Sequence, residues 1–292
     1  MMNHSGLPHP PPASFSNVDL PGTRLHYVKT GNGPPLVIVP ATISLIHQWL
    51  PLAQFMGQRF TSYFFELPGH GGSTPYPHKF ESRLIPATVE SFINEMGHDT
   101  FSLMGFSFGG LLTLRTLELM QSRVEKVILL SPVVSRQALK WSRQRQWLFK
   151  ASVRVMKNPY MLKGTHRIMN IPQLEAPLVY ALSKAGNLDR RILESKHAIR
   201  LPLSTLDVFT YTMDEILGLK YQHSGAPFRN PCYFGMSVND DILEYELTEQ
   251  IVSAHFEQVK IQKFTHPYHQ PPEPPTFEWL VTEFGRFLDL ID

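Results

Sequence analysis

The chain has 292 residues, 42% of them hydrophobic and 18% charged, with a formal net charge of +2 at pH 7. That is enough chain to bury a large core, too apolar for disorder, and too nearly neutral to suggest nucleic acid as a partner. No apolar run reaches the roughly 18 residues that a membrane-spanning helix needs, and a lone Cys232 has no partner for an internal disulfide; a soluble, cytoplasmic protein with a buried, inert thiol is expected.

Residues 1–16 hold Pro8, Pro10, Pro11 and Pro12 but lack the basic start and apolar stretch of a signal peptide, which predicts a flexible leader. Residues 18–31 alternate apolar and polar around Pro21-Gly22 and end at Gly31-Asn32-Gly33-Pro34, the pattern of an antiparallel hairpin. Leu36-Val37-Ile38-Val39 is a short continuous apolar run of the kind buried on both faces of a parallel sheet. Similar runs recur at Ser62-Tyr63-Phe64-Phe65, at 101–104 and at 127–130, with helical spacing over 48–60, 86–96 and 111–121 between them. Strands alternating with helices predict an α/β fold with a doubly wound, mostly parallel sheet, whose ligand site lies beyond the carboxyl ends of the strands.

After Ser131-Pro132 the alternation stops. Residues 133–227 offer helical stretches without a strand run and are predicted to be an inserted helical cap, leaving 17–132 and 228–292 as the core. Residues 126–174 contain no Asp or Glu, while Arg136, Lys140, Arg143, Arg145, Lys150, Arg154, Lys157, Lys163 and Arg167 recur among Trp141, Trp147, Leu148, Phe149 and Val155. The first reading is a solvated helix face backed by a buried apolar stripe; the other is a basic amphipathic lid attracted to anionic substrates or lipid surfaces. Met156, Met161 and Met169 are expected to fill an adaptable apolar pocket. The alternation resumes at Cys232-Tyr233-Phe234, followed by a helix over 245–254, a strand over 259–264 and a last helix over 277–290.

The most specific signal is Gly105-Phe106-Ser107-Phe108-Gly109-Gly110, which stands where the strand run 101–104 stops and the helical run 111–121 starts. A serine on so sharp a strand-to-helix turn projects free of the sheet beside the unpaired N–H groups of a helix N-terminus, and glycines around it remove the side chains that would collide. Two other clusters follow late strand runs: Asn239-Asp240-Asp241, and His266-Pro267-Tyr268-His269. Asp240 and Asp241 are both candidate acids, and His266 and His269 both candidate bases, at the sheet's carboxyl edge. None of the 13 His has metal-site spacing in a helical setting, so no metal is expected.

Together, Leu25-His26-Tyr27, the stretch from Gly31 to Leu36, Leu67-Pro68-Gly69-His70-Gly71-Gly72-Ser73 and the Ser107 hexapeptide resemble the α/β-hydrolase superfamily, in its branch with a helical lid. The resemblance implies a nucleophile, acid, histidine order along the chain. It points to Ser107 as nucleophile, to Asp240, trailed by the apolar Ile242 and Leu243, as acid with Asp241 competing, and to His269, with Pro271 two residues on, as base with His266 competing. It also implies an oxyanion hole from the backbone N–H groups of Phe108 and Thr42, although Pro40-Ala41-Thr42 replaces the His-Gly pair common in relatives. Epoxide hydrolases and haloalkane dehalogenases of this fold use an aspartate where this chain has Ser107. The expectation is therefore a serine hydrolase that cleaves a carboxylic ester or related small, hydrophobic acyl compound without a cofactor. A non-catalytic ligand-binding relative and a cofactor-free perhydrolase or haloperoxidase are the alternatives.

Overall fold

In a computed structural model the chain is described at residues 8–43, 45–186, 201–271 and 275–291. The first half runs β1 (Ala13–Leu20), β2 (Thr23–Thr30), β3 (Pro35–Val39), α1 (Ile46–Met56), β4 (Thr61–Phe65), α2 (Ile85–Glu95), β5 (Phe101–Phe106), α3 (Phe108–Met120) and β6 (Val124–Leu130). Among the described residues α4 (Arg143–Met156), α5 (Pro159–Met169), α6 (Glu175–Gly186) and α7 (Leu203–Ile216) follow. The chain then returns through β7 (Cys232–Ser237), α8 (Tyr245–Ala254), β8 (Val259–Phe264) and α9 (Phe277–Leu290).

The strands form one eight-stranded sheet in the order β1-β2-β4-β3-β5-β6-β7-β8. Only the β1/β2 and β2/β4 pairs are antiparallel; every pairing from β4 through β3 to β8 is parallel. The continuous apolar runs follow from this arrangement, because successive side chains point to opposite faces and both faces are covered. Val37, Val39, Leu103 and Leu129 join the core shared with α2 and α3, whereas Leu36, Ile38, Met104, Ile128 and Leu130 join the core shared with α1 and α9. Each such side chain fully removed from water stabilises the fold by about 1.5–3 kcal/mol before conformational entropy is charged against it.

Several boundaries differ from the sequence pattern. β1 begins at Ala13, so residues 13–16, expected in a leader, are strand: Ser14, Phe15 and Ser16 are exposed on this edge and leave little apolar signal. α3 begins at Phe108 rather than 111, because Gly109 and Gly110 are poor helix formers held in the first turn by their surroundings. α1 ends at Met56 instead of running to 60.

The helices between β6 and β7 are joined by local caps. Ser142 Oγ accepts the Arg145 N–H at the start of α4, and Asn158 Oδ1 accepts the Tyr160 and Met161 N–H groups at the start of α5. α4 and α5 pack on one another and on α7, with Lys157 paired to Asp214, while Arg115 of α3 pairs with Glu215 at 2.5 Å. α4 buries only Val153 and α5 only Leu162. The buried apolar stripe expected here is present only in part: Val153 is buried and Trp141 and Phe149 pack half-buried against the core, while Trp147, Leu148, Val155 and Met161 are exposed, and Met161 is not packed into a pocket. Among the described residues no helix is long and apolar enough to cross a membrane.

Candidate active site at the carboxyl edge of the sheet

β5 ends in the centre of the sheet, between β3 and β6, and the chain reverses into α3 within one residue. That residue is Ser107, with φ 54° and ψ −122°. A non-glycine residue in this region costs about 1–3 kcal/mol, and surrounding contacts must hold it there. They do: Ser107 N–H donates to Leu130 O at 3.0 Å, and Ser107 O accepts from Val133 N–H at 2.9 Å and Gly110 N–H at 3.0 Å. Close packing leaves no room for side chains nearby. A Cβ on Gly105 would collide with the Gly109 carbonyl, and one on Gly109 with the carbonyls of Val39 and Pro40.

Two further segments reach Ser107 from distant parts of the chain. The loop after β8 brings His269, 7% exposed, so that its Nε2 lies 2.9 Å from Ser107 Oγ. The loop after β7 brings the wholly buried Asp240, whose Oδ2 lies 2.7 Å from His269 Nδ1. Asp240 Oδ1 accepts the N–H groups of Ile242 at 2.9 Å and Leu243 at 2.8 Å. Burial alone would raise the Asp240 carboxyl; the charge on His269, its ring hydrogen bond, and the Leu243 and Ile242 N–H groups outweigh burial and hold it below the usual carboxylate range. An ionised carboxylate only accepts, so Nδ1 carries the proton toward Asp240. In the neutral ring this leaves Nε2 as acceptor for the Ser107 hydroxyl. The imidazole also stacks on Phe106, centroids 5.2 Å apart.

The competing residues lie close by in other surroundings. Asp241 Oδ1 accepts the backbone N–H of His269 at 2.6 Å, so it fixes the histidine's main chain without touching its ring. His266 donates Nδ1–H to Tyr268 O at 2.8 Å and stacks on the Tyr268 ring, and its buried Nε2 has no partner among the described residues. Burial lowers its pKa, against smaller opposing effects of the Tyr268 carbonyl and nearby carboxylates. The structure therefore brings Ser107, His269 and Asp240 into one hydrogen-bonded chain and leaves His266 and the Asp241 carboxylate outside it.

Phe108 opens α3, so its N–H lies outside the helix's own ladder. Thr42 lies in the β3–α1 loop, whose first carbonyls press against Gly109 at that same helix end. Two residues that the sequence did not place at the site hold these parts. Glu66, buried at the end of β4, accepts the Ile46 N–H on Oε1 at 2.9 Å and the Gly72 N–H on Oε2 at 2.6 Å, tying the foot of the Thr42 loop to the turn after β4. Lys140 Nζ donates to the Asp240 carbonyl at 2.6 Å, and Lys140 N–H donates to Ile242 O at 2.8 Å. A lone acid inside Tyr63-Phe64-Phe65-Glu66-Leu67 was the available sign of Glu66; Lys140 reads in the sequence only as one of the basic residues of the acid-free stretch 126–174.

A family model described as alpha/beta hydrolase fold matches residues 34–167. The chain has the α/β-hydrolase fold. Among curated relatives, it is 28% identical over 121 residues to an N-formylmaleamate deformylase of Pseudomonas putida, covering 41% of this chain and 45% of that one. It is also 28% identical over 123 residues to a pimeloyl-[acyl-carrier protein] methyl ester esterase of Nitrosospira multiformis, covering 40% and 46%. The matched stretch thus spans less than half the length of either relative. Among solved structures, an alpha/beta fold family hydrolase from Bacillus anthracis superposes with a TM-score of 0.67 at 16% identity, covering 95% of this chain and 98% of the other. This likeness extends the α/β-hydrolase fold across the sheet and the returning strands β7 and β8.

Proposed function

We propose that this protein is a serine hydrolase acting on a carboxylic ester or related acyl compound, with Ser107 as nucleophile, His269 as general base and acid, and Asp240 as the group that orients the histidine and stabilises its protonated form. The observation that carries this reading is the hydrogen-bonded chain of 2.9 Å from Ser107 Oγ to His269 Nε2 and 2.7 Å from His269 Nδ1 to Asp240 Oδ2. A serine hydroxyl is a weak nucleophile until a base takes its proton, and the base needs a third group to fix its tautomer. As Oγ adds to the substrate carbonyl, its proton passes to Nε2. The tetrahedral oxyanion is held by the N–H groups of Phe108 and Thr42. Nε2 then returns the proton to the departing alkoxide, leaving an acyl ester on Ser107. Water, deprotonated at the same Nε2, attacks that ester and releases the carboxylic acid, and the proton returns to Oγ. The sequence consumes one water and needs no other reactant.

The partial relatives named as a deformylase and a methyl ester esterase favour acyl chemistry. Ser107, where an epoxide hydrolase or haloalkane dehalogenase would need a carboxylate, argues against ring opening or dehalogenation. Phe106 beside the reacting atoms favours an apolar substrate portion, and in this reading residues 133–227 act as a cap over it. A fluorophosphonate probe tests the proposal: one equivalent should attach at Ser107, and Ser107→Ala should remove both labelling and hydrolysis of nitrophenyl esters. A folded sample that never labels would reassign the protein as a ligand-binding relative. Thr42→Pro deletes one proposed oxyanion donor and should lower kcat by about 10²–10³-fold, while Thr42→Ala, which keeps the N–H, should change it little.

A further inference from the structure

Large apolar side chains exposed among the described residues are concentrated in one place. Trp147, Leu148, Val155, Tyr160, Met161 and Ile168 all lie on α4 and α5. Trp147 is 68% and Tyr160 81% exposed, more than isolated surface hydrophobics require. Their placement is directional. With 3.6 residues per turn, Leu148, Ala151 and Val155 fall on the side of α4 opposite its one buried residue, Val153, and Tyr160 and Gly164 fall opposite Leu162 on α5. The buried sides face the packed layer with α7, so the apolar stripes of both helices point outward.

The charge beside these stripes has one sign. Arg143, Arg154 and Arg167 are exposed on the same two helices, and no carboxylate pairs with them among the described residues. The sequence has no Asp or Glu anywhere from 126 to 174. A second copy of the chain docking here by the same face would set cations against cations. A surface of anionic headgroups over acyl chains matches both features at once: phosphates for the arginines, hydrocarbon for Trp147, Leu148 and Val155. We propose that the outer face of α4 and α5 docks on the surface of an anionic lipid bilayer, with both helices lying in the plane of the interface. The proposal is independent of the chemistry assigned to Ser107.

The full chain carrying Ser107→Ala, which removes any lipid hydrolysis, should sediment with vesicles of phosphatidylglycerol mixed equally with phosphatidylcholine. It should bind phosphatidylcholine vesicles at least tenfold more weakly, and raising the salt should weaken the anionic binding. Tryptophan emission should shift to the blue on binding, and Trp147→Phe should remove that shift. Replacing Arg143, Arg154 and Arg167 together by Gln should weaken binding by about a hundredfold. Leu148→Ser with Val155→Ser, at unchanged charge, should weaken it by about tenfold or more. All these positions are exposed, so circular dichroism should be unaltered. Failure to sediment, equal binding to neutral vesicles, self-association in place of vesicle binding, or undiminished binding by the double serine variant would each overturn the proposal.

Discussion

The turn from β5 into α3 and the turn from α4 into α5 both lead into a helix, yet their surroundings are opposite. At Ser107 the backbone is pressed between neighbouring strands and every approach is filled: Gly105 and Gly109 each stand where one added carbon would strike a carbonyl. At the start of α5 the chain is held by a local cap from Asn158, and Gly164 has nothing within 4 Å of where a Cβ would sit. The first region fixes three side chains from remote segments to within hydrogen-bonding distance. The second is held mainly by local bonds and presents its apolar atoms to the outside. Geometry is over-determined where atoms are proposed to react, and left loose where a surface is proposed to be met.

Substitutions at each end should separate the two regimes. The largest effect is expected for Asp240→Asn. It keeps the shape but replaces the charge that holds the His269 tautomer, so kcat should fall by about 10⁴-fold, whereas Asp241→Asn, which can still accept from the His269 backbone, should cost far less. Nitrophenyl ester kinetics on the two variants would compare them, and equal losses would break the assignment. Gly109→Ala should destabilise the fold by about 3 kcal/mol or more in urea unfolding and disturb the Pro40-Ala41-Thr42 loop as well.

A smaller effect per pH unit is expected at His70, in the turn after β4. It is wholly buried, neither ring nitrogen has a partner among the described residues, and burial lowers its pKa to about 3. Its folded-state pKa is therefore depressed, so the unfolded chain takes up a proton below about pH 6.5 that the native state refuses. Stability should fall by about 1.4 kcal/mol per pH unit from there down toward pH 3. His70→Leu should flatten that acid limb in pH-dependent unfolding; an unchanged limb would assign it elsewhere. The smallest effect is Gly164→Ala. With open space and a helical position, it should stabilise by about 0.5–1 kcal/mol, the opposite sign to the same change at Gly109.

The sheet was legible because strands buried on both faces write unbroken apolar runs, and α8, β8 and α9 fall on the ranges that their periodicity predicted. β1 was half hidden, since an exposed edge strand needs few apolar residues. Of the candidate site, the serine and its glycines could be read from steric necessity alone. His269 was favoured over His266 only by the resemblance's spacing to Pro271, because both occupy one irregular segment; the fold shows that one ring turns toward Ser107 and the other stacks on Tyr268. Glu66 went unread because its partners are backbone N–H groups, which leave no mark in a sequence. On α4, periodicity revealed a stripe but could not say whether anything covers it.

The first residues after β6 are stitched to the loop that follows β7. Leu139 bridges Leu243, Glu244 N–H donates to Ala138 O, and Lys140 holds the carbonyl of Asp240 itself. Anyone transplanting the inserted helices into another scaffold, or trading them for a shorter connection, would have to place the cut downstream of Lys140. A splice made a few residues earlier would exchange a segment that looks like linker and unfasten the carboxylate at the opposite end of the graft.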